Sequence, residues 1–565
     1  MRPSASLLSV ALACNFLSAA LVGEARSQPG TLISHKKLSS PTLTPVGVTL
    51  NDHDEFGDHA VGLGDLDGAG ASVAAIAVSA IGDDDGGGSR GAVYVLFLNA
   101  AGDVLSHQKI SDTAGNFTAT LDDNDQLGTG LAWLGDLDGA GPSVGALAVG
   151  AINDDDGGAD RGALYILFLN AAGSVLSHTK ISNTVGGFTG VLDNGDEFGG
   201  ALCGLGDLDG PGSSVAALAV GANRDDDGGL DRGAVWILYL NSAGTVLSHA
   251  KISSVQGMTG ALDDTDSFGE KLASLGDLDG SGPGVAAIAS STVYDDDGGS
   301  DRGAVYVVFL NSTGGVLSFQ KISSTAGNFS GPLQSGDSFG AGLATLGDLD
   351  GSGPSAVTLA VGASNTAGAG FDRGAIYNLF LESDGNVLFY EFIGSETGTL
   401  NGAIDNTDEF GSALGSAGDI DGPGGGALTL LAGVGADDDG GLDQLADRGA
   451  VYLLTLDGVG TIGVGEPPAG PRAIGVARVL PNPFRVRTTV SFRLSETSQV
   501  KLDVFDLGGR LVRRLVDRQD GPGEHQITWN GLDDSGRPLT TGCYLVRMTV
   551  DGRVVPGAAK AVLLR

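Results

Sequence analysis

The residues best placed to do chemistry are aspartates. In Asp154-Asp155-Asp156-Gly157-Gly158-Ala159-Asp160-Arg161-Gly162, the side chains of Asp154, Asp156 and Asp160 fall at odd positions around a glycine pair. That spacing lets three carboxylates and the Gly158 carbonyl converge on one hard cation of the Ca²⁺ type. The pattern returns at Asp225, Asp227 and Asp231, and at Asp295, Asp297 and Asp301. Related loops carry Ser89 for the last acid, keep only Asp372, or insert residues before Asp447. Adjacent carboxylates repel at neutral pH, and the only base nearby in sequence is the arginine two to five residues on. Either a divalent cation neutralises the loop, or it is a solvated Asp-Gly turn in which a pair such as Asp160 with Arg161 pins a strand start.

A second set of acids lies in Gly-Asp-Leu-Asp-Gly segments: Asp65 and Asp67, Asp136 and Asp138, Asp207 and Asp209, Asp277 and Asp279, Asp348 and Asp350, then Asp419 and Asp421 in a GDIDG variant. The steps between them are 71, 71, 70, 71 and 71 residues. Histidine gives little sign of catalysis. His107, His178 and His249 share one repeat position and belong to the scaffold, whereas His53 and His59, beside acids, read as idle surface groups. Gly336 to Gly340 and Gly141 to Gly145 spell GxSxG without the strand–helix context of a nucleophile elbow. There is no clustered Cys/His set for zinc and no phosphate-loop lysine.

The elements that must hold these loops are strands. Each repeat has four short apolar segments with Gly, Asp and Asn between them; the third, Ala92 to Leu98, is rich in β-branched and aromatic residues. Four strands per unit, repeated, describe β-propeller blades. The third strand occurs six times, ending at Ala450 to Leu454. No fourth strand follows it, while an orphan fourth strand, Ile33 to Ser39, precedes the first unit. Pairing these two ends completes six blades and hides two strand edges.

The units resemble the FG-GAP repeats of integrin α-chain propellers and their bacterial relatives, through Phe56-Gly57, Phe198-Gly199, Phe268-Gly269, Phe339-Gly340, Phe410-Gly411, the GDLDG segments and Ala148-Val149-Gly150-Ala151. The resemblance spans about residues 33 to 457. It implies Ca²⁺ in the loop after the first strand, and it keeps a seven-bladed ring as the alternative count. The third acidic position of that loop is Ala69, Ala140, Pro211, Ser281, Ser352 or Pro423 here, so the match is half complete.

Composition sets the outer bounds. The 565 residues carry 31 Lys and Arg against 69 Asp and Glu, a net charge of -38 that disfavours nucleic acid and anionic lipid. From Gly470 onward the balance reverses to 15 basic against 9 acidic residues, which marks a differently built part. Residues 1–27 read as a signal peptide, with Cys14 as an alternative lipid-attachment position, and no stretch is long enough for a membrane span. Only Cys203 and Cys543 remain, which excludes a disulfide framework. A Gly/Pro linker, 458–472, leads to strand-like runs over 473–565 with Trp529 and Tyr544 as core anchors. That tail resembles the Ig-like domain related to the flagellar hook-capping protein, found as a sorting tail on type IX secretion cargo. The matching elements are Pro481-Asn482-Pro483-Phe484, Val504 to Arg510, Trp529-Asn530-Gly531, Gly542-Cys543-Tyr544 and Lys560 to Arg565.

The sequence therefore leads to an all-β expectation: a propeller over 30–457 and a small Ig-like sandwich behind it. The expected function is that of an exported, calcium-binding, non-enzymatic protein that binds a protein or glycan ligand or adheres at the cell surface. A hydrolase working from a propeller rim and a purely structural surface component are the alternatives.

Overall fold

The computed structural model describes residues 29–458 apart from 69–71, 140–142, 211–213, 281–284, 352–355, 367–372, 396, 401–402, 421–426 and 439–446. In the C-terminal part it describes 475–480, 487–494, 498–506 and 510–563 apart from 522, 536, 541, 551–552 and 555–558. The signal peptide, most of the linker, and Pro481 to Phe484 lie outside these residues. Two compact units separate, one of Pro29–Leu349 with Ser355–Gly465 and one containing Glu466–Arg565. Helix is confined to Ser40–Leu43 and two short 3₁₀ turns among the described residues.

The larger unit holds six four-stranded antiparallel sheets among its described residues. The first is Phe56–Gly64, Ala74–Ala80, Ala92–Leu98 and Val104–Ile110, paired in chain order. Its second and third strands are buried at every position, so they read as unbroken apolar runs, as strands covered on both faces must. Alternate residues serve the two neighbours. Val93, Val95 and Phe97 pack toward Tyr165, Leu167 and Leu169 of the second sheet, while Tyr94, Leu96 and Leu98 pack toward Val451 and Leu453 of the sixth. The first strands also pack in a cycle, each against the next, with Ala413–Gly418 of the sixth sheet against Phe56–Gly64 of the first.

The glycine of each Phe-Gly pair is required by this stacking. Gly57 has φ +102° and its position faces the Ala450 carbonyl so closely that any Cβ would collide with it. Gly433, on the second strand of the sixth sheet, is pressed in turn against the carbonyl of Gly57.

The two ends of the repeat region meet in one sheet. Leu32–Ser39 pairs antiparallel with Ala450–Asp457, with Lys36 opposite Leu453 and Leu38 opposite Val451. Gly30 N–H donates to Asp457 O at 2.7 Å and Asp457 N–H to Thr31 O at 2.9 Å, which closes in two pieces the turn that other sheets make with one hairpin. Asn378 sits on the facing third strand where the other sheets have Val95, Ile166, Ile237, Val307 or Leu453. Fully buried, it donates to Gly30 O at 2.9 Å and so latches the closing segment.

In the C-terminal unit, a three-stranded sheet (Gly475–Leu480, Thr488–Leu494, Gly523–Trp529) and a five-stranded one (Leu511–Asp520, Ser498–Asp506, Gly542–Val550, Arg553–Val554, Ala559–Leu563) share one core. Trp529 and Tyr544 anchor it, rings 5.5 Å apart and edge to face. The strand Leu511–Asp520 escapes a sequence reading because its Arg and Asp residues mask the period of two.

Candidate functional site

The predicted carboxylates do converge, but on an amine. Asp154 and Asp156 hold Lys180 Nζ at 2.6 and 2.9 Å. Asp225 and Asp227 hold Lys251 at 2.5 and 2.8 Å, and Asp295 and Asp297 hold Lys321 at 2.5 and 2.9 Å. The first sheet does the same with Asp83, Asp85 and Lys109. In the sixth sheet Lys37, from the closing N-terminal strand, reaches Asp437. The expectation that only an arginine lies near these loops is thus corrected: the base arrives from the fourth strand, 26 residues along the chain and adjacent across the sheet. Burial raises the pKa of Asp154 more than Lys180 lowers it. Asp156 is held below the usual carboxylate range, since hydrogen bonds from Lys180, Ser182 and Thr184 outweigh its burial.

The third acid of each loop does another job. Asp160, Asp231 and Asp301 have left-handed φ of 49°, 46° and 49°, and their N–H groups donate to Asp155, Asp226 and Asp296 carboxylates at 2.8–2.9 Å. The arginines do not pin their own aspartates either. Arg161 donates to Asn194 at 2.9 Å and Arg232 meets Asp264 at 2.7 Å, so each one ties its loop to the turn that opens the next repeat.

The fifth sheet supplies a natural comparison. Thr366 stands in the place of Asp154, and Phe392 in the place of Lys180. The Phe392 ring lies 5.2 Å from Tyr377, much as Lys180 lies 5.7 Å over Tyr165. Acids and base are lost together, which is what a mutually neutralising set requires.

The GDLDG loops are more open. Asp65, Asp136, Asp207, Asp277 and Asp279 are exposed. Asp65 and Asp67 face each other, as do Asp207 and Asp209; burial and that partner raise the pKa of Asp65 and of Asp207. The second acids also cap their own loops, with Ser72 donating to Asp67 at 2.7 Å, Ser143 to Asp138 at 2.8 Å, and Ser214 to Asp209. The third positions of these loops lie outside the described residues. Among the described residues no three His, Cys, Asp or Glu side chains gather as a metal group.

A constellation that the sequence reading dismissed lies where the first strands meet. Across the six sheets one position reads His59, Gly130, Ala201, Lys271, Gly342, Ala413. His59 and Lys271 come from opposite members of the cycle and touch, Nζ to Nε2, at 3.1 Å. His59 Nδ1 meets Asp58 at 2.8 Å, so the neutral ring donates from Nδ1 to the carboxylate and accepts from the ammonium at Nε2. Burial first, then Lys271, pushes the His59 pKa down. The expectation of an idle surface histidine is corrected. The signal was available: the same two repeats carry Ser79 and Ser291 where the others carry Gly150, Gly221, Gly362 and Gly433. Those serines accept the backbone N–H of His59 at 2.8 Å and of Lys271 at 2.9 Å. His59 to Lys271 and Ser79 to Ser291 are both 212 residues, so three repeats recur as a unit. The cavity at this centre is about 40 Å³ and is lined from all six sheets.

With the geometry in place, comparison with known proteins adds one family. Residues 485–553 match the FlgD Ig-like domain. Among solved structures, FlgD of P. aeruginosa is 26% identical over 14% of this chain and 63% of its own, with a TM-score of 0.12. PorZ of Porphyromonas gingivalis, described as a surface component of the type-IX secretion system, is 13% identical over 94% of this chain and 54% of its own, TM-score 0.32. Dimeric latent PorU from the same organism is 14% identical over 82% of this chain and 36% of its own, TM-score 0.18. The chain thus spans less than two thirds of each of these proteins. No curated protein matches it. The FlgD match covers Trp529 and Tyr544 and most of the strands that enclose them. No helix among the described residues is long and apolar enough to cross a membrane.

Proposed function

We propose that residues 30–457 form a six-bladed β-propeller, exported and non-enzymatic, that displays its loops to a protein or glycan ligand at the cell surface, while residues 473–565 address the chain to the secretion machinery. The observation that carries this reading is the pairing of Leu32–Ser39 with Ala450–Asp457, which joins the ends of the repeat region in one sheet. The FG-GAP resemblance supports the display role, and the FlgD Ig-like match supports the address. Hydrolysis at the centre of the first strands is disfavoured on size and on chemistry. The central cavity of about 40 Å³ has room for a few waters and none for a sugar ring or a lipid headgroup. The lone pair of His59 that a general base would use is taken by Lys271.

Calcium enters this proposal at the GDLDG loops, where no ammonium among the described residues contacts Asp65, Asp67, Asp207 or Asp209. In the triple-aspartate loops an ion would first have to displace a lysine. If the open loops take Ca²⁺ only in the folded state, millimolar Ca²⁺ raises the melting temperature and a chelator reverses the rise. An unchanged melt removes calcium from the proposal. The surface role is tested by proteolysis of intact cells: the chain is expected to be cleaved from outside, and to become protected when residues 473–565 are deleted. Full protection of the intact chain would overturn it.

A further inference from the structure

The third strand carries a buried aromatic side chain at its sixth position in five sheets: Phe97, Phe168, Tyr239, Phe309 and Phe380. The sixth sheet has Thr455 there. On the adjoining second strand it also has Ala427, where the first four sheets have Val73, Val144, Val215 and Val285. The seam between the sixth sheet and the first holds a half-open groove of about 380 Å³ beside these smaller residues. The space beside Phe309 is about 10 Å³. Ile420 and Leu453 give the groove apolar walls, Thr429, Thr455 and Lys36 give it polar ones, and the hairpin tip at Ala100 covers one end. A volume near 400 Å³ with apolar walls and a few polar groups suits a small ligand.

The chain itself shows what fits this slot. Tyr239 fills the equivalent place in the third sheet, and its hydroxyl donates to the Ser312 carbonyl, on the tip of the next sheet's hairpin, at 2.9 Å. Ser312 follows Asn311 as Ala100 follows Asn99, and the two asparagines fold their turns alike. Asn311 Oδ1 accepts from Thr313 and Gly315 N–H at 2.9 and 3.0 Å, and Asn99 Oδ1 accepts from Ala101 and Asp103 N–H at 2.9 Å. The Ala100 carbonyl has no donor among the described residues. Lys36, held by Asp103 and by Ala101 O at 3.2 Å, stands beside it.

We infer that the seam pocket takes one phenolic ring from outside the chain, packed against Ile420 and Leu453 and donating its hydroxyl to the Ala100 carbonyl as Tyr239 donates to Ser312. The ring belongs either to a tyrosine side chain of a partner polypeptide or to a free phenol. The inference deepens the ligand-binding reading above by naming a ligand class, but it stands on the seam alone. Its failure would leave the cell-surface result untouched.

The test is a calorimetric titration of the full chain with p-cresol. Saturable one-to-one binding is expected in roughly the millimolar range, as suits so few atoms. Toluene, which cannot donate, binds at least about fivefold more weakly. Thr455→Phe restores the ring of the other sheets and abolishes p-cresol binding without lowering the melting temperature. Should that variant misfold, Ala427→Val narrows the slot and weakens binding about threefold or more. A Gly-Tyr-Gly peptide that binds as tightly as p-cresol assigns the slot to a partner's tyrosine; binding of p-cresol alone assigns it to a free phenol. No saturable binding up to about 20 mM, or binding unchanged in both variants, overturns the inference.

Discussion

At the scale of single residues, the lysine clasped by two aspartates is the most consequential device in the molecule. Asp154 is almost fully buried, whereas Asp156 is about a third exposed. Removing the ammonium leaves the buried acid without a partner, and breaking such a pair typically costs ~3 kcal/mol, discounted here by the solvent that reaches Asp156. Lys180→Met should therefore lower the melting temperature clearly. The fifth sheet shows the compensated alternative. Asp154→Thr with Asp156→Gly and Lys180→Phe copies its arrangement and should recover most of the loss, because no unpaired charge remains. Thermal denaturation of the three proteins checks this, and a triple variant as unstable as the single one would refute mutual neutralisation. The aspartates were legible from sequence because Asp-Gly spacing is local. Lys180 was not, since it lies 26 residues away and becomes a neighbour only once the second hairpin of the sheet has formed. The positive group that these two acids hold within the chain is the Lys180 ammonium, which no local spacing reveals.

At the scale of elements, the closing strand matters most. Leu32–Ser39 gives Ala450–Asp457 its second pairing partner, buries Leu32 and Leu38, brings Lys37 to the buried Asp437, and carries with it the turn that Asn378 latches. Each buried leucine is worth about 1.5–3 kcal/mol, and the exposed edge left behind would template association. A chain lacking residues 29–39 should melt well below the full one and run as oligomers in gel filtration. A synthetic peptide of residues 29–39 added in trans should restore the monomer. A truncated chain that stays monomeric with an unchanged melt would remove the closing strand from the account of stability. This closure was legible from counting strands, since an unmatched third strand and an unmatched fourth strand stood at opposite ends. The roles of His59 and Lys271 were not, because the contact joins the first and fourth repeats across a centre that no local pattern describes. Only the paired departures Ser79 and Ser291 hinted at it.

At the scale of the whole molecule, the repeat multiplies small electrostatic costs. Asp54, Asp125, Asp196, Asp266 and Asp408 each open a repeat, are buried, and accept a backbone N–H from three residues back at 2.7–2.9 Å. Burial raises their pKa values to about 6 for Asp54, Asp125 and Asp266, and to about 7 for Asp196 and Asp408. Between the unfolded value of 3.8 and these folded values the native state binds more protons than the unfolded chain, so stability falls as pH rises through that window. His35, His59, His178 and His249 act in the opposite sense, since their folded pKa values are lowered and stability that depends on them is lost as pH falls through 6.5. The five aspartates rise from 3.8 to about 6 or 7, and their window covers the interval from mild acid to neutrality. Asp85, Asp156, Asp227 and Asp297, held low by their lysines, lose their contribution only as pH falls below 3.8. The melting temperature should therefore peak in mild acid, about 3 °C or more higher near pH 5 than at pH 8. Asp408→Asn keeps an acceptor for the Asp405 N–H and removes the buried charge, so it should raise the melt at pH 8 and flatten the profile. A melting temperature that climbs steadily from pH 5 to pH 8, in the native chain and in the variant alike, would show that these buried acids do not govern the stability of the repeat region.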